Sequence, residues 1–310
     1  MARRIVISEF MDETAVAALR PGHEVLYDPG LVDQPTALAD ALSGATAWIV
    51  RNRTQVRGDL LAAAGALKVV GRLGVGLDNI DLDACADRGI TVIPATGANA
   101  TAVAEYVIAA LFTLLRPASL ASDQTVAGAW PRNALIGREV SGKVLGLIGF
   151  GSIARKVADR AAALGLSVIG ADAHLSRDDP SWQVHHARPV DMDTVLETAD
   201  AVSLHVPLTE TTHHLIDADA LARMKPNAVL INTARGGVVD DTALAAALHA
   251  EQLAGAAVDV FETEPLPADS PFAGCPNIIA TPHIAGVTIE SNQRVSAVIA
   301  DKVRAALRHG

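Results

Sequence analysis

Lys143-Val-Leu-Gly-Leu-Ile-Gly149-Phe150-Gly151-Ser152-Ile153-Ala154, followed downstream by Asp172, reads as strand, glycine turn, helix, second strand and acid. The apolar run 144–148 is short enough for a buried strand. Gly149 and Gly151 let the backbone approach a pyrophosphate, and Ala154 is small enough for close helix–strand packing. A helix over 152–164 aims its first N–H groups at that anion. A strand over 166–171 then ends at Asp172, at the roughly 20-residue spacing of a carboxylate that bonds the ribose 2′-OH of NAD. A 2′-phosphate would be repelled there, which favours NAD over NADP. The glycine pattern alone is weak. Strand, helix, second strand and acid in register carry the dinucleotide reading against a merely structural turn.

The chain has 310 residues, half of them apolar and 3% aromatic, with a formal net charge of −10. That length suits two domains. The Ala, Val and Leu content suits helices packed on parallel sheets. The acidity argues against a nucleic-acid surface, so an anionic substrate needs a local cationic pocket. Cys85 and Cys275 have neither metal-ligand nor redox spacing, and no metal is expected. The N-terminus lacks the apolar core of a signal peptide. The apolar stretch 101–115 is interrupted by Glu105 and is too short for a bilayer. A cytoplasmic, soluble protein is expected.

Strands are predicted at 4–8, 24–27, 47–50, 68–70 and 90–93, with helices at 12–19, 34–42, 59–63 and 81–86. A long helix at 101–115 opens a second series. Its strands are predicted at 144–148, 167–171, 201–204, 228–231, 256–258 and 278–280, and its helices at 152–164, 191–198, 218–224 and 241–249. Such alternation means parallel sheets with covered faces. The expected fold is α/β: two Rossmann-like lobes with doubly wound parallel sheets, the second of about six strands, and a cleft between the lobes. The last helix, 289–308, is expected to return to the first lobe. Residues 1–98 plus 286–310 would then form a discontinuous substrate domain and 99–285 the dinucleotide domain, with a hinge at the two crossings.

Three motifs follow predicted strands of the second series, where ligands of such sheets bind. In Ile231-Asn-Thr233-Ala234-Arg235-Gly-Gly237, an always-charged guanidinium can grip a carboxylate bidentately. In Val258-Asp259-Val-Phe-Glu262-Thr-Glu264-Pro265, Glu264 precedes a proline that restricts the backbone. In Thr281-Pro282-His283-Ile-Ala285-Gly286, His283 alone of ten histidines sits at a strand end between turn residues. A carboxylate beside a histidine fixes its tautomer, and such a pair can move a proton at a carbonyl or alcohol. Singly, each residue has a bland alternative as a surface or packing group. Together, at successive strand ends, they are hard to read as packing.

These motifs, with Leu204-His205-Val206-Pro207-Leu-Thr209 and Met224-Lys-Pro226, resemble the D-isomer-specific 2-hydroxyacid dehydrogenase family over nearly the whole chain. That family includes phosphoglycerate dehydrogenases and glyoxylate/hydroxypyruvate reductases. The resemblance implies that Arg235 binds the substrate carboxylate and carbonyl, that Glu264 orients His283, and that His283 transfers the proton. It implies NAD contacts at Gly149, Phe150, Gly151, Ser152, Ile153, Asp172, His205, Val206, Pro207, Thr212, Thr233, Ala234, Asp259, Ala285 and Gly286. Asp259 is implied to meet the nicotinamide carboxamide. Ser152 stands where many relatives carry Arg, Tyr106 where His is frequent, and Ala285 where Gly is frequent. A short member without a C-terminal regulatory domain is expected.

At the substrate end, Gly74-Val75-Gly76 resembles the family loop whose N–H groups hold the carboxylate. Arg51-Asn52-Arg53 follows a strand, and the Arg51 counterpart in phosphoglycerate dehydrogenases binds substrate. Arg53 is as readily a solvated surface residue. The expected substrate is a D-configured 2-hydroxy acid, or its keto acid, with an anion on C3: sulfolactate/sulfopyruvate or 3-phosphoglycerate. The opening 7–13 and the segment 51–53 resemble the (S)-sulfolactate dehydrogenase branch more than the phosphoglycerate branch. A glyoxylate/hydroxypyruvate reductase is the alternative enzyme. An NAD(H)-sensing corepressor is the alternative of another class. Formate dehydrogenases carry Gln where this chain has Glu264. The segment 111–132, with Trp130 and Arg132, resembles a dimer arm and implies a homodimer; whether Arg132 enters a neighbour's site stays open.

Overall fold

The structure, a computed structural model, describes residues 3–309. The chain divides into two compact units, Met1–Asn99 with Val287–Gly310, and Ala100–Gly286.

In the first unit, strands β1 (Arg3–Ile7), β2 (His23–Tyr27), β3 (Ala47–Val50), β4 (Val69–Arg72) and β5 (Thr91–Pro94) pair in parallel in the order β2-β1-β3-β4-β5. Helices α1 (Glu13–Leu19), α2 (Pro35–Leu42), α3 (Gly58–Ala63) and α4 (Leu82–Asp87) connect them. Both faces of this sheet are buried, so its strands read as unbroken apolar runs. Ile5, Ile7 and Ile49 enter one core, while Val6, Trp48 and Val50 enter the other.

The second unit opens with α5 (Ala100–Leu115) and the short α6 (Ser122–Val126). Its strands are β6 (Val144–Ile148), β7 (Ser167–Ala171), β8 (Ala187–Pro189), β9 (Ala201–Leu204), β10 (Val229–Asn232), β11 (Gly255–Val258) and β12 (Ile278–Ala280). They form one parallel sheet in the order β12-β11-β10-β9-β6-β7-β8. Between them run α7 (Ser152–Ala163), α8 (Pro180–Val184), α9 (Met192–Thr198), α10 (Ala218–Arg223) and α11 (Asp241–His249). The last helix, α12 (Ile289–His309), belongs to the first unit. It lies so close over β4 that a Cβ on Gly71 would sit 2.8 Å from both Ile299 and Val303.

The sheet of the second unit has seven strands, against about six expected. The extra one, β8, is three residues long, polar in the middle and ends on Pro189. A proline-containing strand is tolerated here because β8 is the sheet edge. Several helices also start one residue later than predicted, because Asp12, Asp81 and Asp191 are N-caps rather than helical residues. Among the described residues six α-helices begin on an aspartate whose carboxylate accepts a backbone N–H of the first turn: Asp12, Asp81, Asp179, Asp191, Asp217 and Asp240. Among the described residues no single helix is long and apolar enough to cross a membrane.

Candidate active site

β12, β11, β10, β9 and β6 are consecutive neighbours and all parallel, so the turns that follow them gather along one sheet edge. The glycine turn leaves β6. Gly149 has φ 86°, and a Cβ there would lie 2.6 Å from the His205 carbonyl oxygen, so this position requires glycine. Its N–H donates to Ala171 O at 2.8 Å. The Phe150 N–H donates to Asp172 Oδ2 at 2.7 Å, while Asp172 Oδ1 accepts from the His174 and Leu175 N–H groups at 2.8 and 3.0 Å. Asp172 therefore braces the glycine turn as well as ending β7. The Phe150 ring is buried and stacks on Trp182 at 3.9 Å between centroids, and Arg155 Nε donates to Phe150 O. Gly151 and Ser152 are exposed at the head of α7, and Ile153 is half-buried against the core.

After β9, His205 Nε2 lies 3.0 Å from Ser203 Oγ. Desolvation pushes its imidazole down to about 3, so it is neutral across the physiological range. Val206 packs on the core beneath the turn. The Thr212 hydroxyl donates to Pro207 O at 2.6 Å and accepts from the Thr209 N–H at 2.7 Å, which shapes the loop 207–212.

After β10, the buried Asn232 clamps the arginine loop. Its Oδ1 accepts from the Ala234 N–H at 3.0 Å and its Nδ2 donates to Arg235 O at 3.1 Å. Arg235 is half-buried, and its Nη1 donates to Ala234 O at 2.6 Å. A Cβ on Gly236 would overlap the Phe261 carbonyl oxygen at 1.8 Å, so only glycine lets this loop pass the one after β11.

After β11, Asp259 is 1% exposed and its carboxylate serves the histidine turn. Oδ1 accepts from the Ile284 N–H at 2.8 Å and the Thr281 hydroxyl at 2.6 Å; Oδ2 accepts from the Ala285 N–H at 2.9 Å. Because Thr281 donates to Asp259, its contact with Tyr106 at 2.6 Å has the phenol as donor. His283 has φ 52°, sparsely populated for a side chain of this size, and its own N–H donates to Asp259 O at 2.9 Å. The turn is thus fixed from below by a saturated carboxylate.

Glu264, whose peptide bond to Pro265 is cis, completes the pair. Its Oε2 lies 2.8 Å from His283 Nδ1 and its Oε1 accepts from the Phe261 N–H at 3.1 Å. Burial opposes ionisation of Glu264. The hydrogen bond and charge of His283, the Phe261 N–H and the charge of Arg235 outweigh it, and the carboxyl stays below its ordinary range. An ionised Glu264 can only accept, so Nδ1 carries the proton toward it and Nε2 is the nitrogen left for other chemistry.

In the first unit, Arg51 follows β3. Its N–H donates to Glu9 Oε2 at 2.8 Å, its Nη2 donates to Asn292 Oδ1 at 2.7 Å, and its guanidinium lies 5.8 Å from the Phe10 ring centroid. Burial pulls the guanidinium down from its usual range and the Glu9 charge partly offsets this. Asn52 is exposed. Arg53 takes the solvated one of the two alternatives left open for it: its guanidinium is exposed and forks onto Asp33. Its backbone N–H, with that of Thr54, donates to Glu9. After β4, Gly74 sits against the Arg72 guanidinium, where a Cβ would meet Nη1 at 1.9 Å. Val75 is exposed and Gly76 half-buried, and neither backbone N–H donates a hydrogen bond among the described residues.

Residues 108–285 match the sequence profile described as the D-isomer specific 2-hydroxyacid dehydrogenase, NAD binding domain. The chain belongs to that dehydrogenase family. Over 303 residues it is 55% identical to a protein named (S)-sulfolactate dehydrogenase from Chromohalobacter salexigens, covering 98% of each chain. It is 36% identical to a D-3-phosphoglycerate dehydrogenase of Methanocaldococcus jannaschii, matching 98% of this chain but 57% of that longer protein. Among solved structures, the TT0316 protein from Thermus thermophilus superposes with a TM-score of 0.89 at 32% identity, over 99% of this chain and 97% of that one.

The chain is therefore an NAD-dependent 2-hydroxyacid dehydrogenase that acts on CH–OH donors and interconverts a 2-hydroxy acid with its 2-keto acid. The residues of the site fit NAD. The helix α7, unlike the six capped by aspartate, starts on Gly151 with no side-chain cap, and a Cβ on Gly151 would meet nothing within 4 Å. A pyrophosphate would satisfy those N–H groups. The Thr233 hydroxyl, which follows β10, is buried without a partner and suits a polar ligand atom. Asn232 and Glu9 were missed in the sequence. Asn232 stands inside the arginine motif, and its strand-end position was a usable signal; Glu9 lies in the opening 7–13, but nothing there pointed to partners 42 to 45 residues away.

Proposed function

We propose that this dehydrogenase reduces 3-sulfopyruvate and oxidises sulfolactate, a 2-hydroxy acid with a sulfonate on C3. The observation that carries the reading is Arg51: a half-buried guanidinium on the first unit, steadied by Asn292 and Phe10 rather than spent on a carboxylate. The 55% identity to an (S)-sulfolactate dehydrogenase supports it. Stereochemistry agrees with a D-specific family, because sulfur outranks oxygen in the naming rules and the arrangement called D or R in glycerate is called S in sulfolactate.

In this reading Arg235 grips the substrate carboxylate and its carbonyl oxygen, and the Val75 and Gly76 N–H groups donate to the carboxylate. Arg51 receives the sulfonate. NAD, when bound, supplies or takes the hydride at C2. His283 gives a proton to the C2 oxygen in reduction and accepts it in oxidation through Nε2, with Glu264 holding the ring at Nδ1. Asp172 meets the ribose hydroxyls and selects NAD over NADP. The enzyme works in the cytoplasm as a homodimer joined through the segment 111–132, most of which is exposed beyond Leu115.

The test is NADH oxidation with 3-sulfopyruvate, 3-phosphohydroxypyruvate, hydroxypyruvate, glyoxylate and pyruvate, compared by kcat/KM. The sulfonate is expected to lead. If 3-phosphohydroxypyruvate led, Arg51 would be a phosphate contact. If the substrates without a C3 anion led, the C3-anion reading would be wrong and the enzyme would be a glyoxylate/hydroxypyruvate reductase.

A further inference from the structure

Arg51 is held at three points, and none of them is a reacting group. Glu9 is 5% exposed, and its carboxylate accepts the N–H groups of Arg51, Arg53 and Thr54 at 2.8, 3.1 and 3.0 Å. The loop after β3 bends so that these N–H groups converge, a shape that otherwise binds an anion. Glu9 occupies that concavity from within the fold. An incoming anion therefore cannot take these three N–H groups, and the guanidinium of Arg51 is the charge the loop still offers it. Asn292, on α12, accepts from Arg51 Nη2 at 2.7 Å, and Phe10 flanks the guanidinium plane. The other guanidinium N–H groups of Arg51 have no acceptor among the described residues. One donor fixes the group and the rest are left to donate elsewhere.

We propose that Glu9 and Asn292 are positioning residues for Arg51, and that they set this enzyme's discrimination between keto acids with a C3 anion and those without one. The inference rests on the assignment of Arg51 to the C3 anion. A free arginine side chain loses much rotamer freedom when it closes on a ligand. Here that ordering is completed during folding, so binding of the sulfonate retains more of the charge-assisted hydrogen-bond energy. Asn292 is suited to the task because its carboxamide oxygen holds the guanidinium without cancelling its charge. A carboxylate in its place would compete with the substrate. A substrate with no C3 anion gains nothing from the arrangement, so selectivity, not general activity, depends on it.

The experiment measures kcat and KM for 3-sulfopyruvate and for glyoxylate in the NADH-dependent direction, with thermal melts, for the intact enzyme, Arg51→Ala, Asn292→Ala and Glu9→Gln. Arg51→Ala is expected to collapse the preference for sulfopyruvate. Asn292→Ala is expected to raise the KM for sulfopyruvate about tenfold, the scale of one charge-assisted hydrogen bond. Its kcat and its glyoxylate kinetics should stay within about twofold, since no reacting group is touched. Glu9→Gln should shift the same ratio in the same direction; if it fails to fold, Asn292→Ala decides alone. If Arg51→Ala leaves the preference intact, both the C3-anion reading and this inference fall. If Arg51→Ala collapses it while Asn292→Ala does not, the reading stands and the inference is overturned. An equal loss on both substrates in Asn292→Ala would likewise overturn it, as a general structural defect.

Discussion

At the scale of single residues, the pair His283 and Glu264 carries the proposed proton transfer. His283→Ala is expected to lower kcat by about 10²–10⁴, the usual worth of general acid–base help. NADH affinity, read by fluorescence titration, should hardly change. Retained turnover would remove His283 from its role. The residues of this pair were legible in the sequence because each sits in a short motif at a strand end. What the motifs did not reveal is how the histidine turn is secured. Asp259 grips residues 281, 284 and 285 from below, and Tyr106 reaches it through Thr281. Arg53 was ambiguous for a related reason: its partner Asp33 lies 20 residues away, and only the fold brings them together. The same holds for Asn292, which lies 241 residues from Arg51.

At the scale of elements, the loops after β10 and β11 are fitted to each other with no room for a side chain. Gly236→Ala is expected to push the Arg235 loop off the Phe261 carbonyl. The substrate KM should rise and kcat fall by at least about tenfold together, as for a displaced positioning group, in a protein whose far-ultraviolet circular dichroism is unchanged. Unaltered kinetics would show that the loops can part. Beside these loops, Asp241 at the start of α11 and Glu262 exchange backbone hydrogen bonds: each carboxylate accepts the other residue's N–H at 3.1 Å. Burial first, then the charges of Glu262 and Asp240, raise the Asp241 carboxyl to about 6. The folded state thus binds this proton more tightly than the unfolded chain, so stability is lost as pH rises from ~4 to ~6. The loss is about 1–2 kcal/mol for a shift of this size once solvent screening is allowed for. Asp241→Asn should flatten that slope in urea titrations at pH values of about 4.5 and 7, on either side of most of the transition. An undiminished slope would place its source elsewhere. Strand positions were legible almost throughout, because period and composition agree in buried parallel strands. The edge strand β8 was not, since three residues ending in proline carry no periodic signal.

At the scale of the whole molecule, the segment that follows α5 leaves large apolar side chains in solvent: Leu120 is 66% exposed, Val126 89%, Trp130 76% and Ile136 78%. Such a run suits the surface of the proposed homodimer. Light scattering is expected to give twice the chain mass, and Trp130→Ser together with Val126→Ser should shift it toward the monomer. A monomer for the unaltered chain would refute the homodimer. The division into two units also bears on the order in which the protein is made. Residues 100–286 form a unit continuous in sequence, whereas the first unit takes one layer of its core, Val295, Ile299 and Val303, from α12. On the ribosome the second unit can therefore close while the first still waits for α12 to emerge, one face of its sheet covered only by α1. During that interval Ile5, Ile7 and Ile49 lack part of their cover and are open to association with the wrong partner.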